Sequence, residues 1–167
     1  MDVFDCIKTR RSIRNYLEQP IDKMDIDKII EAAIWAPSGK NGQPWKFKII
    51  VDREIINQIS DLSIYRKWMR GAPCFICVFL DKEKSYDYIK DVQSCGAVIQ
   101  NILLCAHSIG IGSCWVGEIA KKSSLLQNII CIDEKKYEFI GLISLGYINN
   151  KHGYPFSKRN HRESFIL

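Results

Sequence analysis

Val92-Gln93-Ser94-Cys95-Gly96-Ala97-Val98-Ile99-Gln100-Asn101-Ile102-Leu103-Leu104-Cys105-Ala106-His107-Ser108-Ile109-Gly110-Ile111-Gly112-Ser113-Cys114-Trp115-Val116-Gly117 is the stretch that decides the fold. Val92, Cys95, Val98, Ile99, Ile102, Leu103 and Ala106 recur at spacings of three and four, the period of a helix. The spacing predicts a helix over Tyr86–Ile109, stopped by Gly110. From Cys95 onward its apolar residues surround much of the circumference. Such a helix is buried on more than one side, in a large core or against another subunit. Ser113–Gly117 then reads as a short strand.

Outward from this stretch, helices and strands mix without a strict βαβ alternation. Val3–Thr9 reads as a short helix with Asp2 as N-cap. Arg10–Tyr16 reads as a loop. Asp22–Trp35 reads as a helix with Met24, Ile26, Ile29, Ile30, Ala33 and Ile34 mostly on one face, stopped by Pro37. Pro37–Pro44 is dense in breakers and reads as a loop. Trp45–Val51 and Phe75–Leu80 read as strands, Arg53–Leu62 as a helix, Ser123–Ile130 as a helix capped by Ser123, and Glu138–Tyr147 as a strand. Residues 149–167 are polar, basic and loop-like, and too long for a frayed end, so they are expected to dock on something. With no repeat, linker or low-complexity tract, the expectation is one α+β domain over residues 1–167.

The chain has 167 residues, 47% of them apolar, enough for one core without disulfide or metal support. No apolar stretch approaches the roughly 18 residues of a membrane span. The first residues carry two acids and no basic region, so no signal peptide is expected. The seven cysteines are an odd, scattered set, as in a reducing cytoplasm, which is the location expected. Cys74 and Cys77 have CxxC spacing inside a strand, where residues three apart point to opposite faces. They are therefore read as buried structural residues. The three histidines, His107, His152 and His161, have no acid at metal-ligand spacing, so no metal is expected. There is no GxSxG, no GxxxxGK[ST], and no GxGxxG after a strand.

Net charge is +5, and its placement matters more than its size. Lys8, Arg10, Arg11 and Arg14 cluster near one end, and Lys158, Arg159 and Arg162 near the other. Two small basic clusters suit a phosphate-bearing small molecule as well as nucleic acid. No RNP-type aromatic motif or helix-turn-helix pattern is present, so no nucleic-acid partner is expected. In Arg10-Arg11-Ser12-Ile13-Arg14, an extended backbone would put Arg10, Ser12 and Arg14 on one face. Guanidinium forks match phosphate bidentately. Taken alone, the segment reads more readily as a solvated basic loop. In Pro37–Pro44, Ser38, Asn41 and Gln43 offer uncharged donors and acceptors able to read a heterocycle's edge, or merely to close a turn. Around Gly110, Gly112 and Gly117, glycine permits close approach of a flat ligand, and Trp115 either covers a ring face or fills the core.

Taken together, Arg-Arg-Ser-Ile-Arg, then Ala-Pro-Ser-x-x-Asn-x-Gln-Pro-Trp-x-Phe, then a long helix ending Gly-Ile-Gly-Ser-Cys-Trp-Val-Gly, resemble the flavin-dependent nitroreductase family. The resemblance runs in order from Phe4 to the basic tail. It implies a mainly antiparallel central sheet flanked by helices, in an intertwined homodimer with FMN at the interface. It implies that Arg10, Arg11 and Ser12 meet the FMN phosphate and ribityl chain, and that Arg14 meets the pyrimidine end of the ring system. It implies that Pro37, Ser38 and Asn41 come from the other subunit, with Gln43 supporting their loop. Val116 and Gly117 match the segment whose backbone N–H faces flavin N5. Lys158 and Arg159 match the C-terminal basic pair, although here they are adjacent rather than separated by one residue, and residues 149–167 become a docking arm.

The activity implied is an NAD(P)H oxidoreductase in which NADH or NADPH reduces FMN and leaves. A nitroaromatic, quinone or similar small acceptor then takes its place. No side-chain nucleophile or general base is needed, which suits the scarcity of histidines. The alternative is a protein that binds FMN, or another phosphorylated ligand, without turnover. Between Leu62 and Pro73 the chain is short and lacks the family's extra flavin-contacting polar residue; Lys67 and Arg70 there are read as solvated charges or as contacts to NAD(P)H or substrate.

Overall fold

In the computed structural model, which describes residues 1–149 and 153–166, the decisive stretch forms helix α5 (Tyr88–Ser108) and strand β3 (Ile111–Val116). Before them come α1 (Val3–Thr9), α2 (Lys23–Ile34), β1 (Trp45–Ile50), α3 (Arg53–Asp61), α4 (Arg66–Met69) and β2 (Cys74–Asp81). After them come α6 (Ser123–Ile129) and β4 (Tyr137–Tyr147). The four strands form one antiparallel sheet in the order β1-β2-β4-β3. This is the antiparallel sheet flanked by helices that the resemblance implies.

The sheet separates two apolar cores. On one face, Cys74, Ile76, Val78, Leu80, Ile143 and Leu145 pack against α5 and α2. On the other, Phe75, Cys77, Phe79 and Leu142 pack against Ile56 and Ile59 of α3, Met69 of α4, and Leu126 of α6. Cys74 and Cys77 thus lie on opposite faces, as the pleat requires. Burial pushes the Cys74 thiol up to about 12 and raises Cys77 further. Every described cysteine is free.

Local chemistry sets most element ends. Asp2, Asp52 and Asp87 accept backbone N–H bonds from Asp5, Ile55 and Lys90, capping α1, α3 and α5. The expected cap at Ser123 is absent. A 3-10 turn over Glu118–Lys122 runs directly into α6, so Ser123 is its first helical residue and makes no capping bond. On α2 only Ile26, Ile29 and Ala33 are buried; Met24 and Ile34 face outward, a narrower apolar stripe than the spacing suggests. Strand β3 begins two residues earlier than expected, because Ile111 and Gly112 already pair with Tyr147 and Gly146. The short α4 arises where no element is expected; Met69 anchors it in the core.

Candidate functional site

The basic segment after α1 is built as an added edge beside β3. Ser12 bridges Ser113 in parallel, and the Ile13 N–H donates to the Ser113 carbonyl at 2.9 Å. Ile13 fills the space over Gly112, where a Cβ would lie 2.8 Å from its Cγ2. Tyr16 is buried; its hydroxyl lies 2.6 Å from the Ile13 carbonyl and 2.8 Å from Ser144 Oγ. Ile13 and Tyr16 are the buried residues of the segment, Arg14 is exposed, and Arg10, Arg11 and Ser12 are each half-buried. By Tyr16 the chain lies at the Ile111 end of the strand: Tyr16 bridges Ile148, and the Leu17 N–H donates to the carbonyl of Tyr147, the partner of Ile111.

The field here is strongly positive. None of Arg10, Arg11 and Arg14 is in an ion pair among the described residues. Arg11 donates through Nη1 to the Lys8 and Arg10 carbonyls at 2.7 and 2.9 Å, closing the end of α1. Its Nε is buried without a partner, as is Ser113 Oγ. His107 is held below its ordinary pKa by burial and by the Arg10 and Arg11 charges. Burial raises the Cys114 thiol, against the pull of Arg14, the Ser12 hydrogen bond and Arg10. Arg14 is exposed, lies 5.8 Å from the Trp68 ring centroid, and donates weakly to the Ser12 carbonyl at 3.4 Å. Unpaired guanidiniums with no carboxylate answering them make a site for an anion.

The second segment, Pro37–Gln43, is a strained loop around a 3-10 turn over Gly39–Asn41. Lys40, Asn41 and Gln43 adopt left-handed backbone angles, φ 53°, 55° and 46°, while Gly42 does not. Each such non-glycine residue costs about 1 kcal/mol or more. The Gln43 N–H donates to Ser38 Oγ at 3.0 Å, and Gln43 Nε2 to the Asn41 carbonyl at 3.4 Å, so Gln43 helps close the loop. Strain held in place by specific contacts is a mark of functional segments.

The structure does not bring these two segments together within one chain. The Pro37–Gln43 loop sits at the start of α5, where Lys40 lies 4.8 Å from the Tyr86 ring centroid. The basic segment sits at its end, where Thr9 Oγ1 and His107 Nε2 are 2.8 Å apart. A helix of 21 residues separates them by roughly 30 Å at 1.5 Å per residue. Lys158 and Arg159 lie in the exposed tail, whose Tyr154 hydroxyl is 3.4 Å from His107 Nδ1 and feels Arg11 and Arg10. Arg159 also donates to Ser157. His152 lies outside the described residues.

Trp115 neither fills the core nor is fully exposed; it is 44% exposed and leans over Gly141, where a Cβ would lie 2.7 Å from its Nε1. Arg70 pairs with Asp61 at 2.5 Å, which ties α4 to α3 rather than to a ligand. Lys67 borders a cleft of about 290 Å³ with Arg14, Asn15, Tyr16, Trp68 and Gly71. A larger, mostly apolar cleft of about 770 Å³ lies elsewhere, lined by Ile21, Ile26, Ile49, Val51 and Pro73 among others. Of the candidate residues it contains only Arg70. Two contacts of the candidate segments escape sequence reasoning, Trp68 beneath Arg14 and Tyr86 beside Gly39. Both are long-range contacts, and neither lies in a motif.

No helix among the described residues is long and apolar enough to cross a membrane, and none of their His, Cys, Asp and Glu side chains form a group of three able to hold a metal. A profile described as "Nitroreductase family" matches residues 7–64 and 60–147. A protein of Archaeoglobus fulgidus, named as a candidate NADH dehydrogenase/NAD(P)H nitroreductase, is 39% identical over 149 residues, covering 86% of this chain and 85% of the relative. The "FMN reductase [NAD(P)H]" of Bacillus subtilis is 25% identical over 187 residues, covering 99% of this chain and 75% of the relative. Among solved structures, a candidate nitroreductase from Desulfovibrio desulfuricans in complex with FMN superposes with a TM-score of 0.94 at 34% identity, over 100% of this chain and 96% of that one.

Proposed function

The chain belongs to the nitroreductase family, and from that membership we propose that it is an FMN-dependent NAD(P)H oxidoreductase. The observation that carries the reading is the group of Arg10, Arg11 and Arg14 beside β3, with no carboxylate partner among the described residues and with the Arg11 Nε buried and unsatisfied. A phosphate ester of a flat heterocycle fits that donor set. It answers the guanidinium charges, and the amide-bearing and serine-bearing loop supplies neutral partners for a ring edge.

Arg10, Arg11, Ser12, Lys158 and Arg159 would hold the phosphate and ribityl chain. Arg14 would place its charge beside the pyrimidine end, favouring the reduced ring electrostatically. The backbone at Val116 and Gly117 would approach the ring's reacting edge. Pro37, Ser38 and Asn41, set by Gln43, would come from a second copy of the chain, because within one copy they stand roughly 30 Å from the basic segment. Residues 1–167 then form one FMN-binding domain whose residues 149–167 are an arm docking on the partner of a homodimer. FMN held there would supply hydride chemistry between NADH or NADPH and a small acceptor, a nitroaromatic or quinone, with the two visiting one site in turn. The chain's own residues bind and orient; none serves as acid, base or nucleophile.

The test is the absorbance spectrum of purified protein, with the cofactor released and identified. FMN that bleaches anaerobically with NADH or NADPH supports the reading. FMN that binds but does not bleach leaves a binding protein. Colourless protein that gains no flavin from excess FMN refutes the reading.

A further inference from the structure

We infer that Tyr86 is a positioning residue for cofactor binding: it clamps the strained Pro37–Gln43 loop from outside, and Asp91 sets Tyr86. The inference rests on the reading above only in taking that loop to meet the flavin.

Inside the loop, one side-chain acceptor closes the turn, Ser38 Oγ to the Gln43 N–H. With the local backbone bonds of the turn and the weak Gln43 Nε2 bond to the Asn41 carbonyl, it holds three left-handed residues, Lys40, Asn41 and Gln43. A further restraint, from outside the loop, comes from Tyr86. Its ring lies directly on Gly39: a Cβ built there would fall 2.7 Å from Cε1 and 2.8 Å from Cζ. Only glycine leaves room for the ring. The next residue, Lys40, returns the contact, its ammonium 4.8 Å from the same ring centroid, a cation–π distance. Lys90 adds a second ammonium at 5.6 Å.

Tyr86 is itself fixed from below. Asp91 is almost fully buried in the first turn of α5, and Oδ2 accepts from Ser85 Oγ at 2.9 Å, the Tyr86 N–H at 3.0 Å and the Asp87 N–H at 3.1 Å. One carboxylate oxygen gathers the whole turn that presents the ring. The far end of the loop is tied separately, by the Asp81 N–H donating to the Pro44 carbonyl at 2.7 Å. Tyr86 is 44% exposed and belongs to neither core, so folding does not require its ring. Its contacts are with Gly39 and Lys40, the tip of the loop.

A loop ordered beforehand spares FMN the work of ordering it, so loosening the clamp should weaken binding. Tyr86→Leu is expected to raise the FMN dissociation constant about tenfold and to speed amide exchange at Lys40–Gly42 in flavin-free protein, with little change in melting temperature. Tyr86→Phe keeps the ring on Gly39 and under Lys40, and should restore both readouts. Combined with Ser38→Ala, the Tyr86→Leu effect on FMN affinity should be less than additive, since both act on one loop. If the parent protein binds no FMN, the function proposed above falls. If the parent binds and Tyr86→Leu matches it in affinity and exchange, the clamp falls. It falls also if Tyr86→Leu loses affinity only in step with a lowered melting temperature, or if Tyr86→Phe fails to rescue.

Discussion

Tyr16→Phe removes one oxygen from the joint that holds the basic segment to the sheet. The hydroxyl lies 2.6 Å from the Ile13 carbonyl and 2.8 Å from Ser144 Oγ, at a residue only 6% exposed. Two neutral hydrogen bonds contribute about 0.5–1.5 kcal/mol each, and a buried carbonyl left without a donor costs about 1–3 kcal/mol. Ser144 Oγ keeps its longer bond to the Cys114 carbonyl, which offsets part of the loss. The expected destabilisation is about 2 kcal/mol. For a domain near this size that lowers the melting temperature by roughly 4–8 °C. Ile13 sits between Ser12 and Arg14, so FMN affinity should fall in the same variant. Burial raises the Tyr16 phenol far above its ordinary value of about 10. The folded value exceeds the unfolded one, so its contribution is fully present below about pH 10 and lost as pH rises beyond it. The parent should therefore weaken above pH 10 more steeply than Tyr16→Phe. Urea unfolding at pH 7 and pH 10.5, with FMN titration alongside, reads all three effects. A loss under about 0.5 kcal/mol with unchanged affinity would refute the account of this joint.

Gly146→Ala should cost about 1–3 kcal/mol in urea unfolding, because its Cβ would fall 2.7 Å from both Pro73 Cδ and Tyr16 Cδ1; a neutral result would mean the joint yields easily. His107 is held low by burial and by Arg10 and Arg11, so stability should be full above pH 6.5 and fall as pH drops toward the lower folded value. His107→Asn should flatten that slope in unfolding curves between pH 7.5 and 5, and a slope that persists would assign it to another group. A thiol reagent should modify exposed Cys131 first and reach Cys74 and Cys77 only on unfolding; early labelling of either would contradict their burial. Arg14→Gln should lower the midpoint potential of bound flavin, while Ser12→Ala mainly weakens binding; redox titrations showing the reverse would overturn the division of roles.

The elements were legible wherever one periodicity acted alone. The α5 stripe and the Pro37–Pro44 breakers carry their own signals, and the observed bounds differ by a residue or two. What escaped depends on contacts between distant segments. Met24 and Ile34 belong to the apolar pattern of α2, yet the sheet and α5 cover only the narrower stripe of Ile26, Ile29 and Ala33. Ser123 has a capping residue's chemistry, but the turn before it is already helical. For the site, the residue types at Arg10–Arg14 show what they can bind. That Ile13 and Tyr16 are the buried half of that segment depends on Gly112 and Gly146, more than a hundred positions away in one case and nearly so in the other. The clamp at Tyr86 had no signal at all, since an exposed tyrosine before a helix is ordinary.

Strand β1 closes one side of the sheet, and no other described strand pairs with its outer edge. Such a row of unsatisfied amides and carbonyls is a template on which unfolded or foreign chains can polymerise. Lys46 and Lys48 both stand exposed along it, beside half-covered Ile49. Lys46 is partly answered by Asp81 at 4.0 Å, so Lys48 is the main charge that repels a second copy of the same edge, and head-on self-pairing of β1 strands is disfavoured at low salt. The shielding fades as the Debye length shrinks from about 10 Å at 0.1 M to about 3 Å at 1 M. Colloidal stability of this chain should therefore depend on this six-residue ribbon as well as on its net charge.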